Sequence, residues 1–427
     1  MKRYLIKDGN VVTPTGIRKC DVLTQGRVVQ KIGEALSEDD VTVVDAAGMW
    51  VLPGLVDIHC HLREPGYEYK EDIASGTAAA ARGGFTSLCC MANTDPVNDN
   101  AAVTTFIKKK AADAGSVRVY PIAALTKGLK GEELTEVGDL RDAGAVALSD
   151  DGKSVKNAHR MRLALRYAKR FEMTIISHPE DEELTNGGVM NEGFWSTALG
   201  LPGTTRFAEE SILFRDCMLA GLENTRIHIA HVSTAGGAEI IRYAKKTGAM
   251  VTCETAPHYL YATEEWVDGY DTNTRVNPPL RTESDRLALI EAVRDGTIDC
   301  IATDHAPHHL DDKNVEYALA APGISGFETA LSLCWEALVV PGHLAPEALF
   351  EKLTSAPADI LKLDAGRIEA GSTADITIFD ERAEWVVDPA KFASRGKNTP
   401  FAGRTLKGVV RHTFAQGVHV HGGRPCR

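Results

Sequence analysis

Asp57-Ile-His59-Cys-His61-Leu-Arg63 follows directly on the apolar run Gly54-Leu55-Val56. On an extended strand residues i and i+2 share a face, so His59 and His61 point into one space, as two ligands of one metal must. Arg63 continues the alternation and could meet an anionic substrate group beside the metal. Cys60 faces the other way. An isolated His-x-His pair is just as well a strand end with two unrelated polar residues. The reading therefore turns on whether other ligands arrive at the same place.

Ligands need rigid elements to hold them. Short apolar runs recur at Leu55 to His59, Thr86 to Met91, Val117 to Ala123, Val146 to Ser149, Thr174 to Ser177, Arg226 to Ala230, Val251 to Glu254 and Cys300 to Thr303. Between them lie stretches with helical apolar spacing and glycine exits, such as Ala101 to Ala114, Ala158 to Phe171 and Ser284 to Gly296. Eight strand-helix units predict a (β/α)8 TIM barrel, whose active site assembles at the C-terminal ends of the strands. The flanks read as short alternating β segments with Gly and Asp turns: Tyr4 to Val12, Val22 to Ile32, Val41 to Val51, Asp375 to Phe379 and Gly408 to Val420. They predict a small composite β-sandwich domain built from both termini. The expected division is 1–52, 53–360 and 361–427, with the barrel in the middle.

The ends of the predicted strands collect a concentrated set of side chains. Strand one ends in His59 and His61, strand four in Ser149-Asp150-Asp151-Gly152, strand five in His178, strand six in His231 and strand eight in Thr303-Asp304-His305. Scattered structural histidines have no reason to prefer one rim. Four histidines and two carboxylates exceed the needs of one tetrahedral ion and match a two-metal centre with a bridging carboxylate. The favoured arrangement puts His59, His61 and Asp304 on one ion and His178 with His231 on the other. Asp151 is the expected bridge, with Asp150 and Lys153 as alternatives at the same strand end. Two divalent ions would acidify a shared water enough to supply hydroxide near neutral pH. Asp304 could then receive the proton released on attack and pass it to a leaving nitrogen.

Bulk properties narrow the partners. The 427 residues carry 47 Lys+Arg against 59 Asp+Glu, a net charge of -12, without a basic run interleaved with aromatics, which argues against nucleic acid. No apolar run reaches the roughly 18 residues of a membrane span, and the N-terminus lacks an apolar leader core, so a cytoplasmic protein is expected. Nine scattered cysteines, Cys20 to Cys426, are an odd number and read as buried small hydrophobes rather than a disulfide framework.

The pattern Asp57-x-His-x-His-x-Arg-Glu-Pro-Gly66, then Met91-Ala-Asn-Thr94, Ser149-Asp-Asp-Gly152, His178, His231-Val-Ser, Glu254-Thr-x-Pro-His258, Asn277-Pro-Pro-Leu280-Arg and Thr303-Asp-His-Ala-Pro-His308 resembles the dihydroorotase family of the amidohydrolase superfamily. It is similar to the bacterial type with an aspartate bridge; related barrels use a carbamylated lysine, and here the lysine at that strand end, Lys153, comes after the glycine. The resemblance spans essentially the whole chain. It implies interconversion of N-carbamoyl-L-aspartate and L-dihydroorotate in de novo pyrimidine biosynthesis, with two Zn2+ per chain and the ligand set just given. It further implies that Arg63, Asn93 and His308 bind the substrate carboxylate, that Asn277 contacts the ring amide, and that the long segment Ala306 to Gly323 covers the substrate with its backbone at Pro322 and Gly323. His258 reads as a supporting residue. As protein partners the resemblance leaves open a homodimer and aspartate carbamoyltransferase. Two rival readings are another cyclic amidase, a hydantoinase or allantoinase, and a non-catalytic scaffold for that carbamoyltransferase. Arg63 with Asn93 argues against the first, since a ring without a carboxylate gives that clamp no purpose.

Overall fold

All eight apolar runs form strands of one parallel sheet in chain order: Leu55–Cys60, Phe85–Cys90, Arg118–Ala123, Ala147–Leu148, Thr174–Ser177, Ile227–Ile229, Val251–Thr255 and Cys300–Ile301. The computed structural model describes residues 2–423, so Cys426 lies outside it. A parallel bridge between Cys60 and His305, with the His61 amide donating to the His305 carbonyl at 2.9 Å, joins the last strand to the first. The result is a (β/α)8 barrel, as the alternation predicts.

Apolar side chains inside the ring explain why it closes. Val56, Ile58, Cys89, Ile122, Ile176 and Cys300 pack with one another and with Leu361 and Leu363. Each fully buried aliphatic chain contributes about 1.5–3 kcal/mol. Helices cover the outside, with local signals at their ends. Asn100 caps Ala101–Ala114 by accepting from the amides of Ala102 and Val103, and Thr282 with Asp285 forms a capping box on Glu283–Arg294.

Both chain ends build a second sheet of eight strands. Its order runs Val418–Gly422, Thr405–Ala415, Ile376–Val386, Trp50–Pro53, Arg3–Thr13, Gly16–Gln25 and Val28–Gly33, with Thr42–Asp45 also pairing Arg3–Thr13. Two segments read as single runs are in fact hairpins or their arms, because Gly26 and Gly417 take positive φ at the turns. Ile6, Val22, Val51, Ile376 and Phe414 form the core of this domain. The eight described cysteines are buried and free. Among the described residues no helix is long and apolar enough to cross a membrane.

Candidate metal centre

The candidate residues converge at the C-terminal rim of the barrel. All of them except His59 line one cavity of about 240 Å³. His59 lies fully buried at its edge, its ring 5.5 Å from that of His61 and 5.2 Å from that of His231. Arg63, His231 and Asp304 leave their strands with φ of 62°, 35° and 46°. Left-handed backbone costs a non-glycine residue about 1–3 kcal/mol, so neighbours must hold it. At Asp304 the holders are visible: the Thr303 amide and hydroxyl donate to Asp57 at 2.9 and 2.6 Å, and the His305 ring stacks on Phe327 at 3.9 Å.

Two groups of potential ligand atoms share one residue. His59, His61 and Asp151 form one, and Asp151, His178 and His231 form the other. Asp304 adjoins the first, its Oδ1 3.1 Å from His61 Nε2 and 3.6 Å from His59 Nε2. The two alternatives for the bridge are engaged elsewhere. Asp150 accepts from the amides of Leu125 and Thr126 and from the Thr126 hydroxyl, and Lys153 is solvent-exposed beside Glu182.

Do these atoms suit a cation? His59 Nε2 and Asp151 Oδ1 lie 3.2 Å apart, yet neither makes a hydrogen bond of acceptable geometry, and both are buried. Glu254 accepts from His59 Nδ1 at 2.6 Å, which leaves the Nε2 lone pair facing the cluster. Glu180 accepts from His178 Nε2 at 2.8 Å, so His178 Nδ1 confronts His231 Nε2 at 2.7 Å. One shared proton satisfies that pair, and its removal leaves two nitrogen lone pairs for a metal ion. Electrostatics points the same way. Burial opposes charge on His59, but Asp151, Glu254 and Asp304 hold its pKa well above the imidazole range; against the same burial, Asp151 and Glu180 lift His178 to about 10. Burial likewise opposes ionisation of Asp151 and Asp304, and the surrounding histidines hold both below the usual carboxylate range. A site that so strongly favours positive charge fits divalent metal.

Three supporting carboxylates escaped the sequence reading. Glu254 lies in a quoted motif, but its contact with His59 joins strand seven to strand one, and its other oxygen meets His228 Nε2 at 3.2 Å. Asp57 and Glu180 are likewise two residues from a histidine in sequence, a spacing that hints at a role without assigning one. A carboxylate bonded to a ligand ring, as Glu254 and Glu180 are, fixes its tautomer and typically contributes ten- to a hundredfold in metal affinity, whereas Asp57 holds the backbone of His59 and Thr303. Replacement Glu254→Gln is expected to weaken metal binding by about 10- to 100-fold, measured by competition with a chromophoric chelator. Unchanged affinity would remove Glu254 from the support of His59.

The remaining candidates surround the cavity. Asn93 Oδ1 lies 3.0 Å from His61 Nδ1 and orients that ring, a contact beyond the substrate role expected for it. Asn277 donates to Glu180 at 2.9 Å. Arg63 and His308 stand together, with Arg63 Nε donating to the Pro307 carbonyl at 3.2 Å. Gly323 has φ of 150°, and a Cβ there would lie 2.6 Å from the Ala306 carbonyl oxygen. The segment from Ala306 is not a free loop: it contains the helix Leu310–Lys313, and the Lys313 ammonium donates to the carbonyls of Thr272 and Arg275. His258 is buried without a partner for Nε2, and burial lowers its pKa to about 4.

A family model described as Dihydro-orotase-like matches residues 48–236. A dihydroorotase of Acetivibrio thermocellus is 53% identical over 417 residues, covering 97% of each chain. The chain belongs to the dihydroorotase family. A second dihydroorotase, from Syntrophotalea carbinolica, is 52% identical over 97% of this chain and 98% of its own. Among solved structures, an L-hydantoinase (dihydropyrimidinase) from Arthrobacter aurescens superposes with a TM-score of 0.90 at 25% identity, over 100% of this chain and 98% of that one. A dihydropyrimidinase from Brevibacillus agri gives 0.87 at 22%. This chain thus shares its fold over its whole length with proteins named hydantoinase and dihydropyrimidinase.

Proposed function

We propose that the protein is a dihydroorotase that holds two divalent ions, zinc in the first instance, on His59, His61, Asp304, His178 and His231 with Asp151 between them. The observation that carries this reading is one cavity lined both by a cluster of carboxylates and imidazoles and by the Arg63 guanidinium beside the His308 ring. Dihydroorotate has the matching halves, a cyclic amide and a carboxylate. Bound metal would supply a water acidic enough to be the nucleophile near neutral pH. Arg63, His308 and Asn93 bind the carboxylate, and Asn277 with the backbone at Pro322 and Gly323 borders the ring. Asp304 accepts the proton of the attacking water; as the amide C–N bond breaks, it returns that proton to the ring nitrogen. The reverse sequence closes N-carbamoyl-L-aspartate.

Metal stoichiometry measured beside turnover of dihydroorotate, hydantoin and allantoin tests the proposal. About two ions per chain and a preference for dihydroorotate are expected. A preference for hydantoin would transfer the chain to the rival chemistry of its fold neighbours. Arg63→Met removes a charge-assisted donor worth about 1.5–3 kcal/mol, so kcat/KM for dihydroorotate should fall about 10- to 100-fold with metal content intact. Loss of metal in that variant would mean that Arg63 supports the ligands instead.

A further inference from the structure

One cation beside the cavity has no part in the scheme above. Lys70 follows the first strand on a turn, with its amide bonded to the Tyr67 carbonyl and the Tyr67 amide to that of Arg63. Its ammonium lies 3.3 Å from His308 Nδ1 and 3.3 Å from the Asp312 carboxylate, which stands on the helix Leu310–Lys313. An ammonium only donates, so His308 Nδ1 accepts and the ring proton sits on Nε2. The opposite side of the ring agrees: Nε2 is 2.9 Å from the Pro322 carbonyl, an acceptor. Nε2–H and the Arg63 Nη2 group, 3.4 Å apart, are then two donors that cannot bond one another. Both border the cavity, where one anion could accept from the Arg63 group and share the Nε2–H with the Pro322 carbonyl in a three-centre bond.

We propose that Lys70 is a positioning residue that fixes the Nε2–H tautomer of His308, and thereby makes His308 the second donor, next to Arg63, for the substrate carboxylate. This rests on the dihydroorotase reading. Without the ammonium, Nδ1 loses its donor, and Asp312, whose Oδ2 is 3.9 Å away, is free to approach and compete with the Pro322 carbonyl for the ring proton. A proton drawn to Nδ1 leaves Nε2 an acceptor facing both the Pro322 carbonyl and the incoming carboxylate. The same lysine, through Asp312, also ties the covering segment to the turn after the first strand.

The test uses the zinc-loaded full chain with 15N-labelled histidine. The His308 signals are identified by their absence in His308→Asn. In the wild type His308 Nδ1 is expected to give a pyridine-like resonance and Nε2 a pyrrole-like one. In Lys70→Met the Nδ1 resonance should lose that character, and KM for dihydroorotate should rise about tenfold, the loss of one charged hydrogen bond, while kcat stays within about threefold and zinc content is unchanged. Lys70→Arg keeps a donor and should restore both readouts. A pyridine-like Nδ1 resonance that persists in Lys70→Met, or an unchanged KM, overturns the role of Lys70. A wild-type chain without dihydroorotate turnover overturns the activity instead, and the resonances still report on the lysine.

Discussion

Asp304→Asn should lower kcat for dihydroorotate by about a thousandfold while the protein remains folded. The side chain keeps its shape and one oxygen towards His61 Nε2, now 3.1 Å away, but loses the charge that could take a proton. General acid-base groups typically contribute 10²- to 10⁴-fold, and Asp304 is asked to act in both directions of the reaction. Its ionised state is secured by His59, His61 and His231, which outweigh the opposing effect of burial. Steady-state kinetics with parallel metal analysis separates the two duties of the residue. A thousandfold loss of kcat with metal retained assigns proton transfer. An equal loss that tracks departing metal assigns ligation alone, and a kcat within tenfold of wild type would sink the mechanism.

The barrel could be read from the sequence because its strands are buried on both faces, and runs such as Thr174-Ile-Ile-Ser177 are therefore short, uncharged and free of the alternation of a half-exposed strand. The rim could be read because histidine and aspartate right after such a run have few other reasons to be there. What stayed hidden depends on contacts between strands. Nothing local distinguishes Asp150 from Asp151; the amides that engage Asp150 come from Leu125 and Thr126, at the end of the preceding strand. Glu254 is one of 59 acidic residues until strand seven is laid near strand one. Lys70 acquires meaning only when the segment after strand eight folds back over strand one and brings His308 and Asp312 to it. The flanking hairpins show the opposite case. There the turn glycines were visible, but a run such as Val22 to Ile32 carries alternation on both arms, and the break at Gly26 appears only with its positive φ.

The distinction between neighbouring aspartates leads to the second large effect. Asp151→Ala should reduce metal content from about two ions per chain to well below one and lower turnover at least about a thousandfold, whereas Asp150→Ala should retain metal and lose stability instead. Asp151 is the residue common to both ligand groups, and its buried Oδ1 has no hydrogen-bond partner in the protein, so its interactions are available to metal. Asp150 has the reverse profile: both oxygens are committed to the Leu125 and Thr126 amides and the Thr126 hydroxyl. Deleting that carboxylate leaves buried donors unsatisfied at about 1–3 kcal/mol each, a cost that falls on the fold of the strand-four end. Metal analysis and denaturant unfolding of the two variants, side by side, give the comparison. Retained metal in Asp151→Ala, or metal loss without destabilisation in Asp150→Ala, would reverse the assignment. The test is sharp because these adjacent residues share charge and burial, and differ only in what their oxygens face.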